Sequence, residues 1–247
     1  LRERHGALAR ALEDTEAPDP ERLSRHFEGA GRWIDASRSA EEAARLADEK
    51  LAFERAAQHY RRALALGNHD AESSLTLRSR LADALANAGL GWEAAPEYLS
   101  IAETGIPRLE SLKLKCRAAR LLLATGYFEE GCTILDEVLA EFGMRVTTTP
   151  WGALTSMAYQ QALLALRGTT FDESKRAADL SPEQQLELDM CWAIMSGFKG
   201  TDITRIGGYG SKFLRLALES GDPALVSIGL SDESIGKIMI RPKSAST

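Results

Sequence analysis

Residues 52–67, AFERAAQHYRRALALG, alternate apolar and polar side chains at the spacing of an amphipathic helix. Apolar residues recur at intervals of three and four positions, at Phe53, Ala56, Ala57, Tyr60, Ala63 and Leu64. The preceding stretch, SAEEAARLADEKL, has the same period, and Ser39 and Glu42 have the spacing of a capping box. The pattern therefore predicts a helix beginning near Ser39, then a second helix, joined by almost no loop.

The same pair of helices recurs twice further along the chain. LTLRSRLADALANAG and LKLKCRAARLLLATG predict first helices that end at Gly89 and Gly126, and each is followed by a second amphipathic stretch. Equivalent positions of the three second helices hold a small residue and, four residues later, a large one: Ala56 and Tyr60, Ala94 and Tyr98, Gly131 and Leu135. The small residue lets two helix backbones cross closely, and the large one fills the space beyond the crossing. A period of 38 and then 37 residues predicts an all-α solenoid of antiparallel helical hairpins, with these six residues packing the repeats.

Four further helix starts are marked by a capping residue followed by proline, at Asp19, Thr149, Ser181 and Asp222. Residues 169–179 are polar and predict a long loop, and KIMIR near the end hints at a short strand. We therefore expect a helical lead-in over 1–35, three repeats over 36–143 and further degenerate helical hairpins over 144–228. Residues 229–247 depart from the helical pattern, and a disordered end is one interpretation of this tail.

The composition agrees with a helical chain and excludes some partners. Aromatic residues make up only 6% of the chain, and its net charge of −6 comes from interspersed acids and bases. The sequence offers no basic stripe for nucleic acid and no apolar run of about 20 residues for a membrane. Cys116, Cys132 and Cys191 are odd in number and widely spaced in apolar contexts. These features favour free thiols and a cytoplasmic protein.

The repeat pattern resembles the tetratricopeptide repeat, although Leu51 occupies the position of the turn glycine in the first unit and Gly131 that of the usual alanine in the third. Three stretches, DPERLSRHFEGAG, LAFERAAQHYRRALALG and LADALANAGLGWEAAPEYL, resemble the C-terminal helical-repeat arm of bacterial STAND-class signalling ATPases. The resemblance covers about residues 1–228. It implies an upstream AAA-type ATPase, frequently fused to a serine/threonine kinase domain, for which this arm senses a signal or holds a protein or peptide partner. The chain itself contains no Walker A, HRD or DFG motif, so we expect no catalytic, cofactor or metal residue in it.

The remaining candidates for chemistry each have a structural interpretation. RIGGYGSK at 205–212 could present backbone N–H groups to an anion, but no apolar strand precedes it, and we expect a structural turn at the start of a helix. All four histidines lie within residues 5–69, which argues against a histidine-dependent site in the C-terminal half. Trp33 and Trp92 are possible partner-binding residues, although packing within the core is the commoner use of a first-turn tryptophan such as Trp92 or Trp151.

The sequence therefore favours a non-catalytic interaction or sensor arm. One alternative is a free-standing scaffold of tetratricopeptide type. A second is an enzyme with a carboxylate-lined pocket inside the superhelix, which predicts a deep cavity with two converging acids of perturbed pKa. The oligomeric state is left open.

Overall fold

All elements of the described part of the chain are α-helices, which confirms the predicted all-α class. A computed structural model describes residues 1–145, 149–172, 174–175, 180–198, 206 and 208–240, with side chains to residue 235. The twelve helices of these residues are α1 Arg2–Glu13, α2 Pro20–Ala30, α3 Trp33–Glu49, α4 Phe53–Leu66, α5 Ala71–Asn87, α6 Gly91–Ala102, α7 Arg108–Ala124, α8 Phe128–Glu141, α9 Pro150–Arg167, α10 Pro182–Gly197, α11 Tyr209–Ser220 and α12 Pro223–Ile240.

Four of the predicted helix starts are confirmed by their hydrogen bonds. The side chains of Asp19, Thr149, Ser181 and Asp222 each accept a backbone N–H from the first turn of the following helix. At Ser181 the capping box is complete, because the Gln184 side chain also accepts the backbone N–H of Ser181 at 3.0 Å. These side chains satisfy N–H groups that a helix start would leave unpaired.

The predicted start at Ser39 is wrong, because α3 already begins at Trp33 and Ser39 lies within it. Asp35 lies in the first turn of α3 and accepts a hydrogen bond from Arg32 at 2.7 Å, which places a negative charge at the positive end of the helix. The short strand suggested at KIMIR, residues 237–241, is also wrong for its four described residues, because α12 continues through residues 229–240. Residues 241–247 of the predicted tail lie outside the described residues.

The chain divides into two compact units, residues 1–106 and 107–247. In the first unit each helix from α1 to α6 packs against the next, and connections of two to four residues join α2 through α6. Connections this short make consecutive helices antiparallel. The buried residues of α3 and α4 are mostly alanines, with Tyr60 among them, so these helices approach closely.

The second unit does not follow chain order in its packing. α7 packs against α8, as predicted for the third pair, but α10 packs against α7, and α9 packs against α11. α11 and α12 form an antiparallel pair around Gly221, which has a φ of 70°. A continuous core of leucine, isoleucine, methionine and aromatic side chains from α7, α8, α10 and α11 fills this unit.

The three tight turns of the predicted repeats share one backbone conformation. Leu51, Gly89 and Gly126 have φ values of 58°, 78° and 92°, in the left-handed region. In each turn the following residue donates its N–H to a carbonyl five positions back, as Ala52 does to Ala47 at 2.8 Å. This is the Schellman arrangement, in which glycine is the usual left-handed residue. Leu51 therefore adopts a backbone conformation that costs energy for a residue with a side chain.

Candidate interaction site

A groove of about 340 Å³ lies between the first turns of α2 and α4, above the C-terminal part of α3. Small apolar side chains such as Ala43 and Ala47 form the floor of the groove, and Glu21, Lys50 and Arg55 bring charges of both signs to its rim. The lining residues are Asp19, Pro20, Glu21, Ala43, Leu46, Ala47, Lys50, Ala52, Arg55 and His59.

Local sequence positions the two helix starts at the groove. Asp19 caps α2 by accepting the N–H groups of Glu21 and Arg22 at 3.0 and 3.4 Å, and Pro20 has no N–H to satisfy. α4 begins directly after the turn at Leu51, and its N-cap residue Ala52 makes no side-chain cap. The N-terminal ends of both helices therefore bring partial positive charge to the groove.

Glu21 is the centre of the charged rim. Its carboxylate accepts hydrogen bonds from Arg25 at 2.5 Å and from Arg55 at 2.7 Å, and His59 Nε2 lies 3.5 Å away. Burial raises the pKa of Glu21, but the hydrogen bond from Arg55 and the neighbouring charges outweigh it and hold this pKa below its usual value. Burial lowers the pKa of His59, and the Glu21 carboxylate only partly reverses this effect. At neutral pH the rim therefore holds an ionised Glu21 beside a neutral imidazole.

The six predicted packing residues are all buried, and each lies in the second helix of its pair. Ala56 and Tyr60 lie in α4, and the others are Ala94 and Tyr98 in α6 and Gly131 and Leu135 in α8. At Gly131 the helices are so close that a methyl group would lie 2.8 Å from Leu123 Cγ and 3.1 Å from the Ala119 carbonyl oxygen. The Tyr98 hydroxyl donates to Asp83 at 2.6 Å, so this buried ring keeps a polar partner.

The structure does not bring Trp33 and Trp92 together. They are 51% and 50% exposed and lie in the first turns of α3 and α6. The chain reverses three times between these helices, so their first turns point to opposite ends of the first unit. Trp151 is 79% exposed, and the expectation that it packs in a core is wrong. By contrast, Trp192 is partly buried and its ring lies 5.9 Å from that of Phe213.

Two glycines of RIGGYGSK, Gly208 and Gly210, are described by the structure, and both lie in close contact with neighbouring helices. A methyl group at Gly208 would lie 2.7 Å from the Ser156 carbonyl oxygen of α9, and one at Gly210 would lie 2.7 Å from Asp232 of α12. Gly208 therefore lets the start of α11 approach the backbone of α9, and Gly210 leaves room for the Asp232 side chain of α12. Arg205 and Gly207 lie outside the described residues, so the structure describes this motif only in part.

Histidines elsewhere make structural contacts. The Nδ1 atoms of His5 and His26 lie 3.0 Å apart, and His69 Nε2 lies 2.9 Å from the carbonyl oxygen of Ala63, which also accepts the Ser37 hydroxyl. Within the described ranges, no group of three or more histidine, cysteine, aspartate or glutamate side chains is placed to hold a metal ion.

Cys116, Cys132 and Cys191 form no disulfide bond, and two of them, Cys116 and Cys191, are buried in the second unit. Burial raises the pKa of Cys116 and Cys191 to about 12. Thiols with such a pKa stay protonated and unreactive near neutral pH.

Sequence reasoning missed the groove, although one signal for it was present. It gave His59 no partner, whereas the structure places His59 Nε2 3.5 Å from the Glu21 carboxylate of another helix. Glu21 lies in the first turn of α2 and Arg55 in the first turn of α4, and the two residues are 34 positions apart in the sequence. Opposite charges at that separation are the feature that could have indicated the contact.

Protein-family models, curated proteins and solved structures show no match to this chain. None of the helices in the described part is both long and apolar enough to cross a membrane. The function is therefore inferred from the geometry of the chain itself.

Proposed function

We propose that this chain is a non-catalytic interaction module, an α-solenoid of antiparallel helical pairs that holds a protein or peptide partner in the groove between α2 and α4. The observation that carries this proposal is that the same left-handed turn, followed by a buried small residue, occurs three times along the chain. Leu51, Gly89 and Gly126 share the left-handed turn, and the small residues five positions later, Ala56, Ala94 and Gly131, are all buried. Recurrent pairs of this kind bury their faces against neighbours and leave long surfaces for partners.

Ion pairs in the first unit support a layered arrangement. Glu21 pairs with Arg55 and Glu28 pairs with Arg62, and both pairs span 34 residues. A constant offset at two points along the helices means that α2 and α4 run side by side in the same direction. Arg80 of α5 contacts Glu41 of α3 at 3.2 Å, which relates the next pair of alternate helices in the same way. Two layers of alternate helices are the arrangement expected of a solenoid.

The groove suits a short segment of polypeptide. Its alanine-rich floor accepts an apolar side chain, while Lys50, Arg55 and Glu21 on the rim can pair with charges of either sign. The enzyme alternative needs two acids that converge with perturbed pKa values suited to proton transfer. Of the two acids in this groove, Glu21 has a lowered pKa and is held by two arginines, which favours an ion-pairing role.

We extend the proposal to the resemblance described above. In that version the chain is the sensor arm of a bacterial signalling ATPase or serine/threonine kinase, and partner binding changes the state of those domains in cis. Three cysteines that form no disulfide bond favour the cytoplasm. A Walker A or kinase motif in the coding sequence upstream supports this version, and its absence leaves a free-standing scaffold.

Peptide selection on the intact chain tests the groove. Displayed peptides selected on the wild type are measured by fluorescence anisotropy against two groove variants, Ala47→Phe, which fills the floor, and Lys50→Glu, which reverses a rim charge. We expect each variant to weaken binding by about tenfold or more. Arg38→Glu is the matched control, because Arg38 is an exposed cation on the same helix but outside the groove. Equal affinity for all four chains, with circular dichroism unchanged, would refute the groove as the binding site.

A further inference from the structure

Helix α9 presents an apolar face to solvent along its whole length. The sequence from Pro150 to Leu166 contains no charged residue. Its most exposed large side chains are Trp151, Leu154, Tyr159 and Leu166, at 79%, 51%, 62% and 86% exposure. Thr155, Ala158, Ala162 and Ala165 lie between them and are also exposed. This spacing of three and four positions places all eight residues, which we name the α9 stripe, on one side of the helix.

The other side of α9 is already occupied within the second unit. Ala153 and Leu164 are buried, and Gly208 at the start of α11 approaches the backbone of Ser156 closely. α9 is therefore held in place by α11, and the stripe is a preformed surface. An uncharged face of this length on a chain with a net charge of −6 is unusual for a solvated surface.

We propose that the α9 stripe is the interface of a homodimer, in which α9 packs antiparallel against α9 of a second copy. A two-fold axis passing between Ala158 and Tyr159 places Tyr159 of each copy against the partner's Ala158. The same axis places Trp151 against the partner's Leu166, and Thr155 against the partner's Ala162. Large side chains thus meet small ones at the centre, and the two bulky ends meet each other.

The chemistry and size of the stripe fit a second copy. A two-fold interface uses one patch twice, so the patch must be complementary to itself. An uncharged stripe meets this condition, because two copies bring no like charges together. Its four large side chains expose on the order of 500 Å². With the small residues between them, the stripe approaches the ~800 Å² per partner of a standard interface, so the dimer should be weak but specific.

Sedimentation equilibrium of the 247-residue chain over a wide range of concentration tests this proposal. We expect a concentration-dependent dimer. Trp151→Glu and Leu166→Lys, each alone, should weaken it by about tenfold or more. A glutamate near the N-terminus of α9 and a lysine near its C-terminus both interact favourably with the helix dipole. Both changes also replace exposed side chains, so the helicity of the chain should be unchanged. Ile34→Glu is the matched control, because Ile34 is a 69% exposed first-turn residue of another helix, and this variant should dimerise like the wild type.

The variant that combines Trp151→Glu with Leu166→Lys tests the direction of packing. In the antiparallel dimer the carboxylate introduced into one copy faces the ammonium group introduced into the other at both ends, so the combination should restore part of the lost dimerisation. A parallel dimer would instead bring like charges together and stay dissociated. A chain that is monomeric at every concentration would assign the stripe to a different occupant and overturn the proposal. A dimer that the single variants leave intact would overturn it as well, because it would form through another surface.

Discussion

Replacing Leu51 by glycine should stabilise the chain. Leu51 has a φ of 58° in the turn between α3 and α4 and is 72% exposed, so its side chain gains little from burial. The equivalent residues of the next two turns are Gly89 and Gly126. Leu51→Gly would therefore remove a backbone strain while leaving the hydrogen bonds of the turn unchanged.

The expected gain follows from two opposing effects. The left-handed conformation costs a residue with a Cβ roughly 1–2 kcal/mol, which glycine avoids. Glycine also makes the unfolded chain more flexible, which costs about 0.4–1 kcal/mol of stability. The net stabilisation should be about 0.5–1 kcal/mol. The reverse change at Gly89, to alanine, should cost a similar amount, because no atom lies within 4 Å of the added methyl group and only the backbone effect remains.

Urea unfolding of the intact chain measures both variants. Leu51→Gly should raise the midpoint, and Gly89→Ala should lower it, with the same slope as the wild type. Leu51→Ala separates the two contributions, because it removes most of the side chain but keeps the strained backbone. If Leu51→Gly and Leu51→Ala destabilise the chain equally, Leu51 contributes through a side-chain contact and its backbone strain is negligible.

Two further predictions concern close packing and pH. Gly131→Ala should destabilise the chain by about 1 kcal/mol. Overpacking against Leu123 and the Ala119 carbonyl costs about 1–3 kcal/mol, and the higher helix propensity of alanine offsets about 1 kcal/mol of that cost. Gly6→Ala is the control and should be neutral or stabilising in the same urea assay, because its methyl group would meet only Ala30, at 3.9 Å. Because burial lowers the pKa of His59 below 6.5, the unfolded chain takes up the proton first, so stability should be full above about pH 6.5 and fall below it. His59→Gln should reduce that loss as the pH falls below about 6.5, and equal pH profiles of the wild type and the variant would contradict the assignment.

Much of the helical structure could be predicted because it depends on local sequence. A capping side chain followed by proline fixes a helix start through bonds within one turn, which is why the starts after Asp19, Thr149 and Ser181 are confirmed. Ser39 shows the limit of such reasoning. It has the right spacing to Glu42, but the residues before it also form helix, so a capping pattern alone does not stop α3 from beginning earlier.

The surfaces were harder to predict, because exposure depends on where distant helices pack. Trp151 and the stretch of α9 from Pro150 to Leu166, which has no charged residue, have the composition of a buried helix. Their exposure depends on where α9 packs against α11, which a local pattern does not show. The groove has the same origin. It forms where the starts of α2 and α4 lie over α3, and its key contact joins residues 34 positions apart.

The glycines show why prediction from this sequence weakens after α8. Gly89 and Gly126 could be identified because they recur at one period, and a repeat makes a long-range arrangement visible locally. Gly197 has no such signal, yet a methyl group there would lie 2.8 Å from Leu123 Cβ. Leu123 of α7 is thus the side chain that a methyl group would meet at either Gly131 of α8 or Gly197 of α10. Because α10 packs on α7 out of chain order, the second unit depends on contacts that no period in the sequence encodes. Substitutions at Gly131 and Gly197 should therefore be coupled through Leu123 rather than additive.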